Sequence, residues 1–175
     1  MTLHPYSRHT PIIPGTIEII RMLGDLAETM GCAMDLQRLG DLILTALSEQ
    51  TRLPEAALWI RESGTGRYRL LTSRGHDHPS VSPSTLPSDH VLITGLSDKQ
   101  HLLQCDQAPS SPTSLAMTTV HATLCLAFRN KTRLLGLCTL GPMGADIHID
   151  EESLALAETI ARIAGNTLDH HLAQD

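Results

Sequence analysis

The chain has 175 residues, 41% of them hydrophobic, with a formal net charge of -6. That length suits one domain with a single core, and the acidic balance without any run of Lys or Arg argues against a nucleic-acid footprint or an anionic-membrane surface. No apolar stretch reaches about 18 residues, so a membrane span is not expected, and the opening MTLHPYSRHT lacks the apolar segment of a signal peptide.

In chain order, residues 1–15, with three prolines up to Pro14, read as a flexible leader ahead of one domain over 16–173. Thr16 suits a helix cap, and Ile17, Ile20, Leu23 or Gly24, Ala27 and Met30 or Gly31 then follow a helical period. Gly31-Cys32-Ala33 breaks it, Asp35 caps a second helix, and Leu36, Leu39, Ile43, Ala46 and Leu47 give that helix an apolar stripe ending near Thr51. Ala56–Glu62 and Arg67–Ser73 are strands joined by the turn Ser63-Gly64-Thr65-Gly66. Arg74–Asp89, rich in serine and proline, reads as a mobile polar loop. A short helix follows over Asp89–Leu96, capped by Ser88 or Asp89. Then come a short strand, His101–Cys105, a second loop, Asp106–Ser114, and a helical turn at Leu115–Thr119.

Two uncharged runs, His121–Phe128 and Arg133–Leu140 after its first residue, flank the polar tetrapeptide Arg129–Thr132 and predict a buried antiparallel hairpin. Gly141-Pro142 and Gly144 end it. Asp150 then opens a long helix to about Leu172. This helix carries one stripe at Leu154, Ala157, Ala161, Ala164 and Leu168, and a second at Leu156, Ile160 and Ile163. One stripe can cover a sheet and the other can take a neighbouring helix. The fold expected is α+β: a single antiparallel sheet of about five or six strands, with the N- and C-terminal helices on one face and the loops and short helix on the other.

This pattern resembles a GAF domain, the small-molecule sensor module of signalling proteins, over roughly Ile17–Leu172. The resemblance rests on Leu124-Cys125-Leu126-Ala127-Phe128, then Leu134–Pro142 with Gly136 at the family's strand glycine, then Ile149–Leu156 at the helix start. It implies a non-catalytic regulatory domain that binds a small ligand and signals through dimeric terminal helices. Such a domain is expected in the cytoplasm as a homodimer, feeding an output domain such as a histidine kinase or diguanylate cyclase. A ligand-free structural or dimerisation scaffold is the alternative reading.

Individual residues narrow the chemistry. Cys32, Cys105, Cys125 and Cys138 show no C-x-x-C spacing and read as reduced thiols. Cys125 and Cys138 sit mid-strand as small hydrophobes, while Cys105, before Asp106, is the best redox candidate. Family members that reduce free methionine sulfoxide carry a companion glycine-flanked cysteine that this chain lacks beside Gly95. His76-Asp77-His78 and His170-His171 are the tight histidine clusters, read as loop and helix-end side chains, so no metal site is expected. Gly141-Pro142, Ile149 and Ser153 stand where cyclic-nucleotide-binding members carry Asn-Lys, Phe and an acid. Leu86-Pro87-Ser88-Asp89-His90-Val91 only echoes the bilin-binding segment, and four aromatics offer little for a haem to stack on. The cofactor stays unassigned. The ligand is expected between the sheet and the segments Arg74–Leu96 and Asp106–Thr119, with His90, His101, Cys105, His121 and Cys125 as candidate ligand-binding residues and no catalytic residue.

Overall fold

The computed structural model describes residues 14–33, 35–75, 83–97, 100–105, 111–141 and 148–174. The first helix, α1 (Pro14–Gly31), starts ahead of Thr16, so Thr16 is inside the helix and not its cap. A proline suits that first turn, where its missing N–H costs no intrahelical bond. The α2 helix (Leu36–Thr51) begins at Asp35, whose carboxylate accepts the Arg38 N–H at 2.7 Å, and it stops at Arg52 in the left-handed region. Strands β1 (Glu55–Arg61) and β2 (Tyr68–Arg74) form the expected hairpin.

The predicted polar loop after β2 differs from expectation in one respect. It contains β3 (Thr85–Leu86), which pairs with Tyr68 and Arg69 and buries Leu86 completely. Two residues between Ser84 and Pro87 are too few to print a period in the sequence. Residues 76–82, with His76 and His78, lie outside the described residues, as do 106–110 and the break at Pro142 and Gly144. Next come α3 (Val91–Ser97) and β4 (Leu102–Gln104). The α4 helix (Pro112–Thr119) starts earlier than the expected turn because the Ser111 hydroxyl caps it, accepting the Ser114 N–H at 3.1 Å, with Pro112 following.

The last three elements are β5 (Leu124–Arg129), β6 (Leu134–Gly141) and α5 (Glu151–Leu172). In the turn between β5 and β6, the Asn130 side-chain oxygen accepts the Thr132 and Arg133 N–H groups at 2.9 and 2.8 Å. Its amide nitrogen donates to Asp169 at 2.8 Å, which fastens the hairpin to α5. Asp150 caps α5 by accepting the Ser153 N–H at 2.7 Å, a bond that holds its carboxyl below the usual carboxylate range.

All six strands are antiparallel neighbours in the order β3-β2-β1-β6-β5-β4. Strand alternation then divides the core. Leu58, Ile60, Leu124, Leu126, Phe128, Cys138 and Leu140 face α1, α2 and α5, as the two-layer reading requires. Ala57, Trp59, Tyr68, Cys125, Ala127 and Leu137 face α3 and α4. Gly136 stands where β6 passes β1 most closely: a Cβ there would lie 2.5 Å from the Trp59 carbonyl oxygen. That contact gives the strand glycine a steric reason.

Candidate functional site

The sheet face under α3 and α4 is the place where residues expected to take part in binding lie nearest one another. Its floor is Ala57, Trp59, Cys125 and Leu137, and Leu92, Leu96 and Met117 close over it, all of them essentially inaccessible to solvent. Two polar bonds fix this layer. The Trp59 indole N–H donates to the Pro83 carbonyl at 3.2 Å, tying the segment before β3 down onto the sheet. The Tyr68 hydroxyl donates to the Leu134 carbonyl at 3.1 Å. Burial raises the Tyr68 pKa, and the charges of Arg61 and Arg129 partly oppose that rise.

The five candidate residues occupy different environments. Cys125 is fully buried in the floor, and Cys105, half-buried at the end of β4, packs against the same cluster. Burial pushes the Cys125 thiol well above the ordinary cysteine range. The same holds for Cys138 on the opposite face. His90 is half-buried at the entry to α3 and performs the capping expected of Ser88 or Asp89: its Nδ1 accepts the Leu92 N–H at 3.3 Å. Desolvation lowers its pKa, against the pull of Asp89, and so favours the neutral ring that can accept this bond. His101 is exposed ahead of β4, where its carbonyl accepts the Ala127 N–H at 3.0 Å. His121 is exposed and left-handed, φ 53°, in the turn that leaves α4; it stands outside β5, not within the strand run in which the sequence places it. Cys125, Cys105 and His90 therefore share one side of the sheet, while His101 and His121 lie at the surface.

Sequence reasoning did not single out Trp59 and Tyr68 as parts of this face. The signal was available in strand parity, since Ala57, Trp59 and Arg61 alternate with Leu58 and Ile60. Among the described residues, no group of three His, Cys, Asp or Glu is placed to hold a metal ion. A thiol shielded in this way does not react as a nucleophile. An aromatic disulfide reagent is expected to label exposed Cys32 promptly in the native protein, while Cys125 and Cys138 stay unlabelled until denaturant is added. Labelling of Cys125 at the rate of Cys32 would contradict the packing.

A six-stranded antiparallel sheet with the terminal helices on one face and two short helices on the other defines a small α+β domain. The sequence pattern of the GAF domain family matches residues 35–168, and the chain belongs to that family. No curated protein matches the chain in sequence. Among solved structures, it is similar to the GAF domain of an Acinetobacter phosphoenolpyruvate-protein phosphotransferase, with TM-score 0.70 and 12% identity over 94% of this chain and 98% of that one. The corresponding domain from Coxiella burnetii gives TM-score 0.70 and 17% identity over 90% and 96% of the two chains. A fragment of a methyl-accepting chemotaxis protein gives TM-score 0.69 and 11% identity over 86% and 98%. At these identities the likeness concerns the fold.

Proposed function

We propose that this GAF domain is a non-catalytic regulatory module that works as a homodimer through its terminal helices and responds to a small ligand received on the α3/α4 face. The observation that carries the reading is the outer side of α1. Leu23, Leu26 and Met30 turn inward onto the core, while Ile17, Ile20 and Met22 remain 50%, 63% and 41% exposed. Ile17, Ile20, Gly24, Ala27 and Gly31 recur at the spacing of a two-helix seam. A Cβ added at Gly24 or Gly31 would meet nothing within 4 Å, so these glycines answer no packing need inside the chain and leave room for a second backbone. Arg21 stands beside Asp25 and Glu28 along that helix, a mix of signs that a second copy of α1 can complement.

The α5 helix touches α1, α2 and the sheet, so a change on the sheet has a mechanical path to the helices. A ligand that displaces α3 or α4 would shift populations between two arrangements of the helices and pass the change to an output domain, such as a histidine kinase or diguanylate cyclase. The structures similar to this chain, a phosphotransferase GAF domain and a chemotaxis-protein fragment, support a signalling setting. The domain's place is then the cytoplasm, and no described helix is long and apolar enough to cross a membrane. Cys105, Cys125 and His90 stand nearest the proposed ligand, with His101 and His121 at its margin.

A ligand-free scaffold is the second reading, and one observation favours it: Leu92, Leu96 and Met117 already fill the space above the floor at 0% exposure. Native mass spectrometry of freshly purified protein separates the two. A dimer mass with an added small molecule supports the sensor, a dimer without one supports the scaffold, and a monomer at high concentration removes the dimer from both.

A further inference from the structure

Arg129, the last residue of β5, is half-buried and keeps one edge of its guanidinium without an acceptor. Its Nε and Nη2 are buried and, among the described residues, have no hydrogen-bond partner. A guanidinium cannot escape by losing its proton, and a buried charged donor without an acceptor bears its desolvation cost uncompensated. These two nitrogens form one edge of the planar fork, the edge whose parallel N–H groups match two oxygens of a carboxylate or phosphate.

Register places this fork on the sheet face already described. Beyond a register irregularity between Phe128 and Arg129, Arg129 pairs with Leu134, which, like Cys125 and Ala127, belongs to the α3/α4 cluster. Arg61 ends β1 on the same face, following Ala57 and Trp59, and pairs with Tyr68. The strands β1 and β5 each run antiparallel to β6 between them, so both arginines stand at one end of the sheet. Two strand spacings put their backbones about 10 Å apart, and the Arg61 Nη2 now lies beside Gly66 of the β1–β2 turn. Both charges are felt at Tyr68. Among the described residues, the ion pair present is Arg69 with Glu62 at 3.2 Å; neither Arg61 nor Arg129 has a carboxylate within that reach. This basic pair stands out in a chain of net charge -6. Arg129 also borders a cleft of about 280 Å³ beside β5, whose lining includes His101, Ala127 and, from α5, Glu158 and Arg162.

We propose that the ligand of this domain carries an oxyanion, carboxylate or phosphate, which the Nε–Nη2 edge of Arg129 grips, with Arg61 as the second cation. The proposal rests on the reading that the α3/α4 face receives a ligand, and it names the chemistry of that ligand. The anion supplies the acceptors that the Nε–Nη2 edge of Arg129 lacks.

The test is a nitrogen-15 NMR titration of the whole chain with inorganic phosphate and, separately, with succinate, at constant ionic strength set by sodium chloride. The expected result is a saturable shift of the Arg129 Nε–H resonance with at least one probe. Phosphate alone points to a phosphate ester, succinate alone to a carboxylate, and either outcome supports the shared chemistry. Arg129→Gln and Arg129→Lys should each weaken binding about tenfold or more, since each loses the fork, and Arg61→Gln should weaken it less. If the Arg129 variants do not fold, the Nε–H titration of the unaltered protein and the half-buried Arg61→Gln variant decide. A resonance that does not move, or that drifts linearly without saturation, overturns the proposal, as does undiminished binding by folded Arg129→Gln. Dimer mass and retention of a neutral ligand are read separately, so this failure would leave the regulatory-dimer reading standing.

Discussion

Trp59→Ala is expected to destabilise the domain by about 3–5 kcal/mol. The indole is 0% exposed in β1, paired with Leu70 of β2 on one side and Leu137 of β6 on the other, so neighbours from two strands and from the α3/α4 layer would all lose contact. The backbone here is held by hydrogen bonds on both sides, so the space cannot collapse readily, and the cavity cost adds to the lost transfer energy. The indole also holds the Pro83 carbonyl, and the next residue's carbonyl, that of Ser84, accepts the Leu70 N–H at 2.8 Å. Losing the ring should therefore loosen β3 as well as the core. Urea unfolding followed by circular dichroism measures the first effect, because the only tryptophan in the chain is the one removed. Faster hydrogen exchange at Leu70 measures the second. Trp59→Phe, which keeps most of the apolar volume and loses the N–H, should cost distinctly less. A loss below about 1 kcal/mol for Trp59→Ala would mean that this face is looser than described.

Gly165→Ala should also destabilise, although alanine is the better helix former by about 1 kcal/mol. A Cβ at Gly165 would lie 2.6 Å from the Arg129 carbonyl oxygen and 2.9 Å from its nitrogen. Both are main-chain atoms of β5 and cannot swing aside, so α5 must lift from the sheet, an overpacking cost of about 1–3 kcal/mol or more. Steric cost exceeds propensity here, and the net loss should be about 1–2 kcal/mol. Gly24→Ala is the matched control: with nothing within 4 Å, the propensity term acts alone and the isolated monomer should gain up to about 1 kcal/mol. Opposite signs for two Gly→Ala changes in helices of one protein are the expected outcome of chemical denaturation. Equal signs would show that α5 does not pass β5 as closely as the geometry states.

Much of the layer structure is legible in local pattern. The uncharged runs around Asn130, the caps at Asp35 and Asp150 and the two stripes of α5 each encode a period or a terminus within a few residues. What escapes the sequence is of another kind. The β3 strand is too short to show alternation, and α4 starts on a serine cap buried inside a run that reads as loop. His121 leaves the strand because α4 ends in a tight turn, where the Ala122 N–H bonds to the Met117 carbonyl at 2.8 Å. The candidate site is less legible still. Histidines and cysteines draw the eye as chemistry-bearing types, whereas Arg61 and Arg129 are ordinary strand-end residues until register brings them to one end of one face. That convergence depends on pairings between distant strands, which no local window contains.

Disulfide trapping at the middle of α1 tests the regulatory-dimer account most directly. In a Cys32→Ser background, Gly24→Cys should form a covalent dimer nearly completely on mild oxidation, while Arg162→Cys, on an exposed stretch of α5, stays monomeric. Cross-linking confined to Gly24→Cys is the result a paired α1 seam predicts. A Gly24→Cys protein that remains monomeric, or that cross-links no faster than Arg162→Cys, would contradict it.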